Sequence, residues 1–253
     1  MKYIAICGTV GAGKTTLLQR LTAYFGPRAA FHEERPQDNP YINEYYSDSK
    51  RWSFHSQVSF LSLYFDDEKW RPEVGDTEFF FFDRAFLENL VIAKYRLNQQ
   101  DLTQDEFGIL CKLAHGIASL MPPVDKYLYL DCSVSTIIEH MRQRGREYED
   151  DLDLMYVYEL KELYDEWAKT LPPERTLRIN MDGGEYDLNE IVRFLEAGVC
   201  RSRIGLLRFL TPASAGSASC ARRCGCCRRK TICTTATRST RPTASRAKRR
   251  SRR

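Results

Sequence analysis

No apolar run in this sequence approaches the roughly 18 residues that a membrane helix needs, so no membrane span is expected. The N-terminus enters an apolar stretch directly and leaves no room for a signal peptide, so a cytoplasmic protein is expected. Internal repeats are absent, which excludes a solenoid. The most telling absences lie at the end. Residues 199–253 contain no Asp, Glu, Asn, Gln, His, Tyr, Trp or Met, yet hold 14 Arg and 2 Lys. The formal charge of +4 therefore averages two unlike parts: +16 on residues 199–253, and −12 on residues 1–198, which have 22 basic and 34 acidic residues. The first part reads as one acidic globular domain, 1–198, and the second as a basic, Cys/Arg-rich tail, 199–253.

Beyond "GLLRFL" the tail has almost no aliphatic periodicity and cannot bury a core, so disorder is expected. It holds six of the nine cysteines, but "CARRCGCC" has no paired C-x-x-C spacing and no nearby His, which argues against zinc. Its ending "KRRSRR" could bind nucleic acid or serve as an import signal. A segment of 12 residue types rich in Arg, Ala, Ser, Thr and Cys also resembles a GC-rich reading frame translated out of register, and an artefactual tail is the reading preferred here. Nucleic acid is accordingly not expected as a partner except through this segment.

What is present begins with "CGTVGAGKTT", residues 7–16, which fits G-x-x-x-x-G-K-[ST]. Gly8, Gly11 and Gly13 let the backbone turn tightly and expose N–H groups to phosphate; Thr9, Val10, Ala12 and Thr16 complete the loop. Lys14 supplies a charge for the β- and γ-phosphates of ATP, and the Thr15 hydroxyl can reach Mg²⁺. The flanks agree: "YIAIC" reads as a buried parallel strand, and "KTTLLQRLTAYF" as a helix whose N-terminus meets the phosphate.

Further strands are expected at "AAF" before His32, at 78–83, 126–132 and 176–181, with helices at 13–25, 51–70, 84–97, 103–120, 134–144, 153–170 and 187–197. Alternating strands and helices imply an α/β P-loop fold of three layers, with a parallel, about five-stranded sheet flanked by helices. In such a sheet the working residues sit at the carboxyl ends of the strands.

After the second strand comes "HEERPQDNPYINEYY"; Glu34 is placed to take a proton from an acceptor hydroxyl, although Glu33 and Glu34 also suit solvated loop charges. After the third comes "FFFFDRAFLENL". Asp83 can hold Mg²⁺ as a Walker-B acid, and Arg84 can neutralise phosphoryl charge or hold the acceptor; the bland reading is a capping Asp beside a surface Arg. "RQRGREYEDD" carries Arg142, Arg144 and Arg146, either lid cations that close over phosphate or a basic helix end. Gln57, in "RWSFHSQVSFLSLYF", offers a donor and an acceptor to a nucleobase edge, or is an ordinary helix residue.

Together these stretches resemble the deoxynucleoside kinases, most closely the bacterial deoxyadenosine/deoxyguanosine kinase branch. The resemblance runs over nearly all of residues 1–195: "GAGKTT", an E-x-x-x-DNPY stretch, "YY" followed by "RWSFHSQ", a DR pair, and "RGREYE" followed by "YELKELYDEWA". It implies that Glu34 contacts the sugar 5′-OH as the general base, that Tyr46 and Glu149 contact the 3′-OH, and that Gln57 reads the base. It implies that Asp83 is a Mg²⁺ partner, that Arg84 sits at the 5′-OH, that Arg144 and Arg146 are lid arginines, and that the protein is a homodimer. Departures are Ala85 for a usual Ser or Thr, Tyr64 for a base-pocket Arg, Asn89 for its Asp partner, and Ala93 for a base-stacking Phe. Losing the Arg and the Asp together leaves neither charge buried alone.

The leading expectation is transfer of the γ-phosphoryl of ATP, with Mg²⁺, to the 5′-OH of a deoxynucleoside, with a purine preferred. A nucleoside monophosphate kinase of thymidylate kinase type would need cations for the acceptor phosphate, where this sequence is acidic apart from Arg35. A nucleotide-dependent binding module would need neither sugar-gripping residues nor a lid.

Overall fold

The computed structural model describes residues 1–66, 77–145 and 154–198, with backbone alone for 64–66. All of these fall within one unit, Met1–Pro212. The expectations for the tail, for Arg146 and for Glu149 lie outside the described residues, as does the side chain of Tyr64.

Five strands form one parallel sheet: β1 (Lys2–Cys7), β2 (Ala29–His32), β3 (Phe79–Asp83), β4 (Lys126–Asp131) and β5 (Thr176–Asn180). The order is β2-β3-β1-β4-β5: from β1 the chain goes to the edge strand β2, returns to place β3 between them, and then crosses to the other side of β1 for β4 and β5. That reversal opens a crevice at the carboxyl ends of the strands beside β1. Eight α-helices accompany the sheet among the described residues: α1 (Lys14–Phe25), α2 (Ile42–Ser47), α3 (Ser49–Asp66), α4 (Asn89–Asn98), α5 (Gln104–Ala118), α6 (Val134–Arg144), α7 (Leu154–Ala168) and α8 (Leu188–Glu196).

The period of two along each strand divides its side chains between two helical layers. In β1, Ile4 and Ile6 join Leu17, Leu18 and Leu21 of α1 and Ile191, Val192 and Leu195 of α8, whereas Ala5 and Cys7 join Val91 and Tyr95 of α4 and Tyr164 and Trp167 of α7. The phenylalanines of β3 split the same way: Phe79 and Phe81 pack toward Phe25 of α1, while Phe80 and Phe82 turn toward Tyr3. All four are buried, and each contributes about 1.5–3 kcal/mol. A third cluster, including Leu61, Leu90, Ala93, Phe107 and Leu110, joins α3, α4 and α5.

The expected helix over 84–97 is corrected by the structure. Arg84 has φ 86°, in the left-handed region, Ala85 is extended, Phe86–Glu88 form a 3-10 turn, and the α-helix begins at Asn89. The left-handed residue breaks the helix before it starts and turns Arg84 into the end of the sheet. The short helix α2 was not expected; six residues are too few to show an amphipathic period.

At the opposite end of the sheet, two lysines close the domain. Lys2 Nζ donates to the carbonyls of Leu195 (2.8 Å), Glu196 (3.0 Å) and Ala197 (3.2 Å), and Lys126 Nζ donates to those of Phe194 and Ala197. These are the carbonyls that the last turn of α8 leaves without helical partners, and a cation is favourable there.

Candidate active site

The loop between β1 and α1 is held from three sides. Gly8 has φ 144°, and a Cβ there would lie 2.9 Å from the Leu130 carbonyl oxygen of β4. Gly11 has φ 79°, faces Ile137 of α6, and its carbonyl meets His140 Nδ1 at 2.8 Å. Gly13, also left-handed, precedes α1 without any side-chain cap, so the first N–H groups of the helix stay directed at the loop. Gly8→Ala is therefore expected to destabilise the domain by about 1–3 kcal/mol and to weaken ATP binding, as read by thermal unfolding with and without ATP. An unchanged melting temperature and ATP shift would contradict this account of the loop.

Lys14 opens α1, is buried, and its Nζ donates to the Gly8 (2.7 Å) and Thr9 (2.8 Å) carbonyls. Burial, with Arg84 adding to it, lowers its pKa to about 8. The next residue, Thr15, donates its hydroxyl to Asp83 Oδ2 at 2.9 Å. Asp83 is itself buried, and burial raises its carboxyl pKa against the pull of Lys14. A hydroxyl and a carboxylate at the mouth of a phosphate loop form the hard oxygen donor set that suits Mg²⁺.

Arg84 organises the other half of the site. Its main-chain N–H donates to Ile6 O at 3.0 Å, extending the β3–β1 ladder by one bond and fixing the residue despite its positive φ. Its Nε donates to Glu34 Oε2 at 2.5 Å, and its Nη1 donates to Glu88 Oε1 at 2.8 Å and to the Tyr164 hydroxyl at 2.7 Å. Burial alone would lower its pKa, but Glu34, Tyr164 and Glu88 together raise it, so the guanidinium stays charged. Neither Asp83 nor Arg84 is a surface residue.

Glu88 and Tyr164 were not singled out by sequence. Both are wholly buried, and Glu88 Oε2 also accepts the Ala85 N–H at 3.3 Å. A carboxylate four residues after Arg84, inside the apolar run "AFLENLV", was the available signal.

A cleft of about 780 Å³ passes over these groups. Val10, Gly11, Gly13, Lys14, Thr15 and Thr16 line it, whereas Gly8, Thr9 and Ala12 are buried behind the loop. Arg144, in the last turn of α6 before the left-handed Gly145, borders the same cleft. Glu34, Tyr46, Gln57 and Asn89 line the same cleft. Tyr46 is set by its neighbour: Tyr45 is buried, accepts from Arg96 Nε at 2.7 Å, and meets the Tyr46 ring edge-to-face. Arg96 in turn donates to Asp101 at 3.0 Å, a support that sequence reading missed.

Gln57 is buried on α3, lines the cleft, and has no hydrogen-bond partner among the described residues. Asn89 Nδ2 donates to Phe86 O at 2.9 Å, which leaves Oδ1 as its group for the cleft. Ala93 departs from the expectation of a base-stacking position. It is packed with Leu61, Leu90 and Leu110, while Ile92 and Phe60 border the cleft.

Comparison with known proteins identifies the family and the fold. The family model for deoxynucleoside kinase matches residues 4–195. A deoxyadenosine/deoxycytidine kinase of Bacillus subtilis is 30% identical over 188 residues, spanning 73% of this chain and 84% of that relative. A deoxyadenosine kinase of Dictyostelium discoideum is 31% identical over 173 residues, 67% of each chain. A deoxyguanosine kinase of Bacillus subtilis is 27% identical over 201 residues, covering 74% of this chain and 90% of the relative. Among solved structures, deoxyadenosine kinase from M. mycoides with bound dCTP superposes with a TM-score of 0.63 at 24% identity, covering 76% of this chain and 96% of that one. The five-stranded parallel sheet with its P-loop is thus the shared architecture. The chain, an ATP-dependent phosphotransferase, belongs to the deoxynucleoside kinase family.

Proposed function

We propose that the γ-phosphoryl of ATP is transferred to the 5′-hydroxyl of a purine deoxynucleoside, with Glu34 as the base. One observation carries this reading. Glu34, held by Arg84, lines the same cleft as Lys14 and the Thr15–Asp83 pair. A carboxylate suits an uncharged hydroxyl and repels a phosphate, so the acceptor is a nucleoside rather than a monophosphate. The purine preference is supported by relatives named as deoxyadenosine and deoxyguanosine kinases.

In the reaction, Tyr46 and Glu34 hold the sugar, and Gln57 and Asn89 meet the base edge. Glu34 takes the proton of the 5′-hydroxyl as its oxygen bonds to the γ-phosphorus. The bond from that phosphorus to the bridging oxygen breaks, and ADP leaves with the electron pair. Lys14 and the first-turn N–H groups of α1 hold charge on the β- and γ-oxygens. Mg²⁺ bound by Thr15 and Asp83 would neutralise phosphate charge. Arg144, which lines the cleft, adds a cation for the charge on the transferred phosphoryl group. The reading includes a cytoplasmic homodimer in which the 199–253 tail takes no part in catalysis.

The test is a transfer assay on the full chain, with ATP and Mg²⁺ and with the four nucleosides deoxyadenosine, deoxyguanosine, deoxycytidine and thymidine, and separately their 5′-monophosphates, offered in parallel. Conversion of a purine deoxynucleoside to its 5′-monophosphate as the fastest reaction is expected. ATP binding without transfer to any of the four would overturn the acceptor assignment, and faster transfer to deoxynucleoside monophosphates would put a monophosphate kinase first.

A further inference from the structure

The mechanism above gives Glu88 no part, yet Glu88 is wholly buried and bonded to Arg84, which lines the cleft. Two Arg–Glu pairs in the molecule differ in a way that suggests its use. On the surface, Arg28 grips Glu78 with both ends of its fork: Nε to Oε1 at 3.0 Å and Nη2 to Oε2 at 2.8 Å. Both carboxylate oxygens are thereby occupied. In the cleft, Arg84 touches Glu34 through Nε and Oε2 alone: Nη2, the second atom of that edge, makes no bond to Glu34, while Nη1 at the other end of the guanidinium is clamped by Glu88 and Tyr164. Glu34 Oε1 has no partner among the described residues.

We propose that Glu88 is a positioning residue: as a second counter-ion, anchored where no substrate reaches, it holds the Arg84 fork turned so that Glu34 keeps one oxygen free for the 5′-hydroxyl. This rests on the reading of Glu34 as base. The titratable groups around Glu88 come from every element packed on it: Lys14 of α1, Arg84 at the end of β3, Tyr164 of α7, the Cys7 thiol of β1, and Glu34 beyond the guanidinium. Of the cations among them, Arg84 alone bonds Glu88 directly; Lys14 is held by loop carbonyls. With Glu88 neutral, Glu34 is the one full anion left in contact with that fork. A bidentate grip of the Arg28 type then ties up both Glu34 oxygens.

The test compares Glu88→Gln with the parent enzyme, both in the parent background and in an Arg84→Lys background, where no fork exists. In the parent background kcat is expected to fall about 10- to 100-fold, the size of one charged hydrogen bond. KM for nucleoside and ATP affinity should move by less than about threefold, the pattern of a lost transition-state interaction. In the Arg84→Lys background the same change should have little further effect. A parent-like kcat, a loss that appears in KM, or an equal loss in both backgrounds would overturn the proposal. Tyr164→Phe keeps the packing and removes one of the two anchors on the same Nη1; should Glu88→Gln not fold, a kcat loss with KM retained in this variant supports the proposal, and a parent-like kcat overturns it. Glu34→Gln separates the two claims. If that variant is inactive while Glu88→Gln is parent-like, only the positioning role fails; if it is fully active, the base assignment fails first.

Discussion

Replacing Glu34 by Gln is expected to lower the rate of phosphoryl transfer about 10²- to 10⁴-fold while leaving the fold and ATP binding intact. The amide has the size of the carboxylate, and its carbonyl can still accept the N–H of Arg84 that Glu34 Oε2 accepts at 2.5 Å. What it cannot do is take up a proton. Single-turnover transfer isolates that step from product release, and a melting temperature measured beside it isolates the step from unfolding. A rate within tenfold of the parent would remove Glu34 from the chemistry and leave Asp83 as the carboxylate nearest the phosphate loop.

The largest expected stability effect comes from Arg84→Leu. This change strips the charged partner from Glu88, whose side chain is 0% exposed. Removing one member of a buried pair costs about 3–5 kcal/mol, because the remaining charge stays in the interior. In a domain of this size each kcal/mol shifts the melting point by about 2–4 °C, so a fall of roughly 10 °C is expected. The deficit should depend on pH in a definite direction. Burial already raises the Glu88 pKa, with Arg84 as the main opposing influence. Without Arg84 the folded-state value rises further above that of the unfolded chain. A group of this kind binds its proton more readily when folded, so stability is regained as pH falls and lost as pH rises through the folded-state pKa. Thermal unfolding at pH 5 and pH 8 reads this; a deficit equal at both would mean that packing, not the stranded charge, sets the cost.

Much of the architecture was legible in the sequence because the sheet is buried on both faces. Strands such as "FFFFD" and "KYLYLD" are short apolar runs without alternation, and all five strands lie within two residues of where they were expected. The phosphate loop was legible because glycine spacing and Lys14-Thr15 record a backbone requirement. The arrangement after β3 was less so. The sequence "DRAFLENL" has helical spacing throughout, and nothing in it announces that Arg84 takes φ 86° and that the helix waits until Asn89. Glu88 and Tyr164 escaped because their meaning is spatial: they are separated by 76 positions and meet around one guanidinium. The resemblance puts the base-stacking position at Ala93, but Ala93 is packed in the core and Ile92 borders the cleft.

The lysine contacts at the foot of the sheet change how the catalytic domain is to be pictured. Lys2 bonds carbonyls that lie 193 to 195 positions later. Its two ends therefore come within one lysine side chain of each other, and the domain is closed like a ring rather than laid out like a line. A ring has no privileged starting point. The same packing is compatible with a rearranged chain order in which position 198 is linked back to position 2 and new ends are opened in an exposed loop remote from the cleft.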